Sequence, residues 1–215
     1  MPGHANPPCR ENKSHDQKLG EARAAALDLL AAHKPADEKE AGDIRRIQAL
    51  IAAQANIFSR NCELGHVTAS AVIVELESRR TLLHHHKRLG RWLQVGGHLE
   101  QETDIAQAAL REAREETGLP DLRFHPAIDA VVPIDVDVHT IPHIGNQPEH
   151  LHLDFRYVLV TSQPRALSPA TDESTRFRWL SFAEALAMGD EIDAALRRLL
   201  RKARDLFCDG ANSLR

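Results

Sequence analysis

Three acidic side chains follow one another closely in the chain. Glu112, Glu115 and Glu116 fall within one sector of a helix, because a helix turns by about 100° per residue. Carboxylates this close repel each other, and the i,i+4 pair alone should cost roughly 0.2 to 0.5 kcal/mol. A hard divalent cation such as Mg²⁺ or Mn²⁺ would turn this repulsion into coordination. The spacing therefore indicates a metal site, with Arg111 one turn before Glu115 to orient that carboxylate.

The helix that carries these residues has clear ends. Thr103 or Asp104 can accept a hydrogen bond from the first turn, while Gly118 suits a left-handed cap and Pro120 cannot continue the helix. An apolar stripe, mostly of alanine, would let the helix pack closely: Ala106, Ala109, Leu110 and Ala113. The alternative to a metal site is an acidic face that meets only solvent.

The stretch from Gly97 to Leu119 resembles the Nudix box, the motif of the Nudix hydrolase superfamily. The motif consists of Gly, five residues, Glu, seven residues, Arg-Glu, an apolar residue, any residue, Glu-Glu, any residue, Gly and an apolar residue. The positions in register are Gly97, Arg111, Glu112, Ala113, Glu115, Glu116, Gly118 and Leu119. The first Glu of the motif falls on Thr103, between Glu102 and Asp104. Since that Glu supports the loop and the Arg in the family, the resemblance implies that a neighbouring carboxylate replaces it.

The resemblance implies a metal-dependent pyrophosphohydrolase with an Mg²⁺ or Mn²⁺ cofactor. Its substrate would be a nucleoside diphosphate linked to another group X, and water would attack the diphosphate. Arg111 would orient the site, and the metal ligands would be Gly97, through its carbonyl, with Glu112, Glu115 and Glu116. One of the glutamates, or Glu173 in the loop before the last strand, would take the proton from water. The sequence leaves this choice open.

The expected substrate-binding residues lie around the box and on a later strand. The glycine pair lets the backbone approach phosphate closely. The residues assigned to substrate binding are Gly96, Gly97, His98, His152 and Arg156. Residues 150–157 alternate strictly, with His150, His152, Asp154 and Arg156 on one side. That polar side either faces solvent or lines the substrate pocket.

Histidine is unusually frequent, with thirteen residues in the chain. A run of three, His84 to His86, precedes the box, and further histidines alternate along the later strand. A second metal site made from these histidines is an alternative to a purely polar cluster, although the spacing is not diagnostic.

Size and composition limit the protein class. A chain of 215 residues with net charge −4 can bury one core plus an appendage. It has no run of eighteen apolar residues and no signal-peptide centre, so we expect a soluble, cytoplasmic protein without membrane contact. The three cysteines form neither a disulfide framework nor a metal clip. Mild acidity argues against binding long nucleic acid. A non-catalytic module that binds a nucleotide or sugar phosphate is the alternative function, suggested by Thr103.

The expected fold is α/β. The resemblance implies an α/β/α sandwich with a mixed central sheet and an N-terminal helical extension. The predicted divisions are a flexible tail at 1–17, the extension at 18–60, the Nudix domain with its C-terminal helix at 61–207, and a second tail at 208–215. The extension contains helices at about 18–32 and 37–59. It either covers the domain's own surface or forms a homodimer contact or a lid.

The remaining pattern predicts strands and two closing helices. The β-like segments are 66–77, 80–86, 92–95, two runs within 123–139, 150–162 and 175–180. Ser181 and Glu184 form a capping box for a short helix, and an amphipathic helix spans about 191–207.

Overall fold

The computed structural model describes residues 10–87, 89–100, 102–125, 131–143, 145–169 and 174–209. Within them are five α-helices: α1 (Arg10–Ala32), α2 (Glu38–Ala53), α3 (Ile105–Thr117), α4 (Phe182–Leu186) and α5 (Ala194–Asp209). The same residues form eight β-strands: β1 (Gly65–Glu75), β2 (Thr81–His86), β3 (Arg91–Leu93), β4 (Val95–His98), β5 (Arg123–Phe124), β6 (Asp135–Ile141), β7 (His150–Thr161) and β8 (Ser174–Leu180).

The predicted elements occur close to their expected places, with the largest shifts at the N-terminal end. Helix α1 begins at Arg10 instead of near residue 18. Helix α2 ends at Ala53, before the expected residue 59, because the chain turns so that Ile57 can accept a backbone hydrogen bond from Val67. The capping box at Ser181 and Glu184 is confirmed. The division into tails, extension and domain stays a prediction.

The sheet is mixed, as expected. Strands β1 and β7 are parallel over eleven residue pairs, and the other pairings are antiparallel. On β1, Val67, Ala69 and Ile73 pack into a core with α3 and the N-terminal helices. Val72 and Val74 face the other way, into a core with α5. Helices therefore cover both faces, which confirms the α/β/α sandwich.

The N-terminal extension packs on the domain itself. Two carboxylates of α2 reach the free edge of β6: Glu40 accepts a hydrogen bond from the backbone N–H of Val136, and Asp43 accepts one from Val138, both at 3.1 Å. From the opposite side, Lys202 of α5 donates to Glu40 at 2.6 Å. These contacts support the first of the two expected roles, because α2 covers an edge that would otherwise expose unpaired N–H groups.

The polar side of β7 is shielded from open solvent. His150, Asp154 and Arg156, on its polar side, are buried at 6%, 3% and 3% exposure. Polar side chains of the neighbouring strands surround it: Ser70 of β1 donates to Asp154, and Arg156 donates to Asp137 of β6. Its polar side lines a cavity inside the fold, which is the alternative that the sequence left open.

No helix in the described ranges has both the length and the apolar character that a bilayer crossing requires. The cytoplasmic location expected from the sequence stays a prediction.

Candidate active site

A cavity of about 860 Å³ lies at the polar end of the sheet, next to α3. Eight of the residues predicted to form the site line it: Gly96, Gly97, His98, Glu112, Glu115, Glu116, His152 and Arg156. Arg111 lies beside the lining and contacts it through hydrogen bonds. Glu173 lies outside the described residues, so its expected role stays a prediction. The tertiary structure thus gathers residues that are up to sixty positions apart.

Helix α3 holds the three glutamates as the motif predicts. Asp104, and not Thr103, is the N-cap, with its carboxylate accepting from the N–H groups of Ala106 and Gln107. Gly118 is the C-cap with φ 66° and ψ 9°, the left-handed conformation expected of it. The alanine stripe is buried against the sheet. Both ends of the helix are therefore fixed, and with them the direction of the glutamates.

Arg111 connects the helix to the glycine loop. It donates to Glu102 through Nε, to Glu112 at 3.1 Å and to Glu115 at 2.8 Å, and to the carbonyl of His98 at 2.8 Å. Of the two carboxylates that flank Thr103, Glu102 contacts Arg111, while Thr103 itself is exposed. The expected substitution by a neighbouring carboxylate is confirmed at the level of this contact.

The glycine pair is required by space as well as by backbone conformation. A Cβ atom on Gly97 would lie 2.6 Å from Cδ of Glu112. Gly96 has a φ of 148°, and a Cβ there would meet the backbone and side chain of Ser70. The loop therefore brings its backbone against a carboxylate of α3, as expected for a site where main chain and acidic side chain share a cation.

The carboxylates differ in their surroundings. The Glu112 side chain is 17% exposed, whereas that of Glu115 is 59% exposed. Burial raises the pKa of Glu112, and the charges of Glu115 and Glu100 raise it further, while Arg111 opposes the shift. A buried carboxylate that its one cationic neighbour does not fully neutralise is a suitable ligand for a divalent cation. The oxygen donors and the backbone approach at Gly97 fit Mg²⁺ or Mn²⁺.

The floor of the cavity is an ion-pair network on the polar side of the sheet. Asp154 accepts hydrogen bonds from Thr68 at 3.1 Å, from Ser70 at 2.8 Å and from Arg156 Nε at 2.9 Å. The same guanidinium contacts Asp135 and Asp137. Because three carboxylates hold Arg156, these contacts give it a structural role in the floor, and its expected contact with substrate stays a prediction.

Sequence reasoning missed His66, which lies on β1 beside the expected His98 and His152. Among the described residues, these three histidines form the single group of His, Cys, Asp or Glu side chains whose ligand atoms all lie within 4.8 Å of one another. It is a different set from the run at 84–86. The available signal was the alternation of His66, Thr68 and Ser70 in a segment otherwise rich in apolar residues.

Comparison with known proteins agrees with this geometry. The sequence model of the NUDIX domain matches residues 65–202. A NUDIX-family hydrolase from Clostridium perfringens is 28% identical with a TM-score of 0.51, over 66% of this chain and 97% of that chain. An Ap4A hydrolase from C. elegans is 20% identical with a TM-score of 0.47, over 66% of this chain and 98% of that chain. The E. coli dihydroneopterin triphosphate pyrophosphohydrolase is 17% identical with a TM-score of 0.46, over 63% of this chain and 92% of that chain. No curated protein matches the chain. Because the family match spans more than half of the chain, this protein belongs to the NUDIX domain family, as a Nudix hydrolase acting on pyrophosphate bonds.

Proposed function

We propose that this hydrolase cleaves the diphosphate linkage of a nucleoside diphosphate joined to a second group X, by attack of water and with Mg²⁺ or Mn²⁺. The observation that carries the proposal is that Glu112, Glu115 and Glu116 all line one cavity, with Glu112 directly against Gly97. The substrate is a small molecule, because the site is a cavity and the chain has no excess of basic residues.

The proposed metal ligands are the three glutamates and the carbonyl of Gly97. When bound, the cation would offset phosphate charge and lower the pKa of a coordinated water. Arg111 fixes Glu112 and Glu115 relative to the loop, since it bonds to both and to the carbonyl of His98. Fixed ligands reduce the reorganisation that the reaction requires.

Other residues of the cavity have separate tasks. Gly96 and Gly97 admit a phosphate close to the main chain, and His98 and His152 form the adjoining wall. A carboxylate accepts the proton of the attacking water. Burial raises the pKa of Glu112, and a raised pKa makes a carboxylate a stronger base. Glu173 is the alternative base.

A non-catalytic binding module is no longer supported by Thr103. The sequence suggested that alternative because the first glutamate of the motif is missing. Glu102 provides a carboxylate to Arg111 from the neighbouring position, so the arrangement around the arginine is complete.

Substitution of Glu116 tests the proposed ligands. We expect Glu116→Gln to retain the fold and to lower metal-dependent turnover by about 100-fold or more, a loss within the range for removal of one catalytic group. Phosphate release is measured with Mg²⁺ and Mn²⁺ on nucleoside triphosphates, nucleotide sugars, dinucleoside polyphosphates, CoA and NADH. Glu63→Gln, an exposed glutamate before β1, is the control. Turnover of Glu116→Gln at the wild-type rate would show that the ligand assignment is wrong.

A further inference from the structure

Histidines from four neighbouring strands meet on one side of the sheet. His66 of β1 is the register partner of His152 of β7, and His152 is in turn the partner of His139 of β6. Strand β4 brings His98 to the other side of β1. The ring centroid of His66 lies 4.9 Å from the centroid of His98 and 4.9 Å from that of His152. His150 adds a fifth ring, whose centroid lies 5.1 Å from that of His66. The sheet therefore assembles a cluster that no short segment contains.

Two of the five rings already have partners that orient them. His139 Nδ1 lies 3.0 Å from a carboxylate oxygen of Asp137, and His150 Nδ1 lies 2.9 Å from the carbonyl oxygen of Pro148. These two rings flank the group and are engaged in the polar network around the cavity.

His66 and His152 differ from those two rings. His66 is 1% exposed. Neither of its ring nitrogens meets hydrogen-bond geometry with a partner. The backbone of Cys62 is a polar group that lies near the ring. Nε2 of His152 is also buried without a hydrogen-bond partner. Buried polar atoms in folded proteins are nearly always paired. A metal ion would take the lone pair of one nitrogen on each of these rings.

We propose that His66, His98 and His152 bind a first-row transition metal ion of the zinc class. Their ligand atoms all lie within 4.8 Å of one another. Zinc binds imidazole nitrogen at about 2.0 to 2.1 Å, so tetrahedral ligands lie roughly 3.4 Å apart. Small rotations of the rings would close the remaining distance.

The chemistry of the ligands separates this site from the carboxylate site. Imidazole favours zinc, copper, iron and nickel, whereas carboxylate oxygen favours magnesium and manganese. An imidazole ring binds a metal through the lone pair of one of its nitrogens, and the three rings bring such nitrogens within 4.8 Å of one another.

Three histidine ligands leave one tetrahedral position for another ligand. His98 and His152 line the cavity that contains the three glutamates, whereas His66 is buried beneath them. The fourth position would be taken by water or by an oxygen of a ligand in the cavity, as in zinc sites that keep one position open. The inference does not depend on which diphosphate the enzyme cleaves.

Metal titration of the full chain tests this site. After treatment with a chelator, the wild-type protein should bind one Zn²⁺ per chain in a competition assay, and Co²⁺ should produce the visible absorption of a tetrahedral nitrogen site. His98→Gln and His152→Gln should each weaken Zn²⁺ binding more than about 100-fold, because losing a ligand costs more than losing the outer partner of a ligand, which costs 10- to 100-fold. His143→Gln, an exposed histidine outside the cluster, should bind as the wild type does.

A second comparison separates this site from the catalytic carboxylates. The double variant Glu112→Gln/Glu116→Gln should keep Zn²⁺ binding while losing metal-dependent hydrolysis. Circular dichroism checks that each variant is folded, and His98 and His152 were chosen because both are only half-buried. The proposal is overturned if the wild type binds no Zn²⁺, if both histidine variants bind it as tightly as the wild type, or if only the glutamate variant loses it.

Discussion

At the scale of single residues, Arg111 joins the glycine loop to the helix that bears the glutamates. Its guanidinium makes bonds to Glu102, Glu112, Glu115 and the carbonyl of His98. Glu102 lies one residue before the position of the first glutamate in the Nudix box. Its carboxylate still reaches Arg111, because the segment before α3 is not helical and Asp104 alone caps the helix. The motif therefore tolerates a displaced glutamate when the loop can present it.

Removal of the Glu102 carboxylate should weaken the site without removing a metal ligand. We expect Glu102→Ala to lower kcat by about 10- to 100-fold, as for the loss of a partner that orients a ligand, with little change in thermal stability. The steady-state rate and the metal concentration for half-maximal activity would be measured together. Adding Thr103→Glu to Glu102→Ala restores the family pattern and should recover part of the rate. Unchanged activity in Glu102→Ala would mean that Arg111 needs no outer partner.

Gly97 is predicted to be essential because of the space it leaves. Gly97→Ala would place a Cβ 2.6 Å from Cδ of Glu112, so the carboxylate must move away from the backbone. We expect a loss of about 100-fold in kcat/KM, the size of effect expected when catalytic groups are misplaced by about 1 Å. Gly20→Ala in α1, where no atom lies within 4 Å of the added Cβ, is the matched control and should be fully active. An active Gly97→Ala enzyme would argue against a cation shared by Gly97 and Glu112.

At the scale of elements, the contact of α2 with β6 has unusual chemistry. Glu40 is completely buried and accepts hydrogen bonds from Ala36, from Val136 and from Lys202 of α5. His33 also lies against its carboxylate, at 2.7 Å. One side chain thus connects two helices with the edge of the sheet, which makes the junction sensitive to loss of its charge.

Glu40→Gln should lower the free energy of unfolding by about 3 to 5 kcal/mol, since breaking a buried ion pair leaves Lys202 and the donors around it poorly matched. Chemical denaturation at neutral pH measures this loss. Glu38→Gln is the control, because Glu38 lies two residues earlier on the same helix and is exposed. A difference below about 1 kcal/mol would show that the network adds little to stability.

The same variant should reveal a contribution to the free energy of unfolding that depends on pH. Burial by itself would raise the pKa of Glu40, but the hydrogen bonds from His33, Ala36 and Lys202 lower it far below the ordinary value of 4.5. A lowered pKa means that the stabilisation is complete above the pKa of the unfolded chain and is lost as the pH falls towards the folded value. The stability difference between wild type and Glu40→Gln should therefore shrink as the pH is lowered below about 4.5.

At the scale of the whole molecule, the NUDIX domain match begins at residue 65, but the hydrophobic core also includes residues that precede it. Helices α1 and α2 contribute Ala22, Ala26, Leu30, Ile47 and Ile51 to the core that also contains α3. The extension is therefore part of the same folded unit.

A fragment that begins at residue 61 should be unstable on its own. Its loss of α2 would free the N–H groups of Val136 and Val138 on the edge of β6 and leave Lys202 without Glu40. Exposed strand edges promote association. We expect aggregation on size-exclusion chromatography and a lower melting temperature than that of the full chain. A monomeric fragment with the full-length melting temperature would contradict this account.

The sequence by itself determined α3, its C-cap at Gly118 and the glutamate trio, and it limited the N-cap to Thr103 or Asp104. These features depend on residues within one or two turns of each other, so periodicity and capping chemistry were sufficient. It also predicted the alternation of β7 and the mixed sheet, the latter through the family resemblance. The choice of base among Glu112, Glu115, Glu116 and Glu173 stays a prediction.

Only the tertiary structure decided what the polar face of β7 meets. Its alternation is the same whether the face meets water or a cavity, and the residues that other strands and α3 place around it make the difference. The meeting of His66 with His98 and His152, and of Glu40 with Val136, likewise joins segments tens of residues apart. Such contacts depend on strand order and register, which no local pattern of residues specifies.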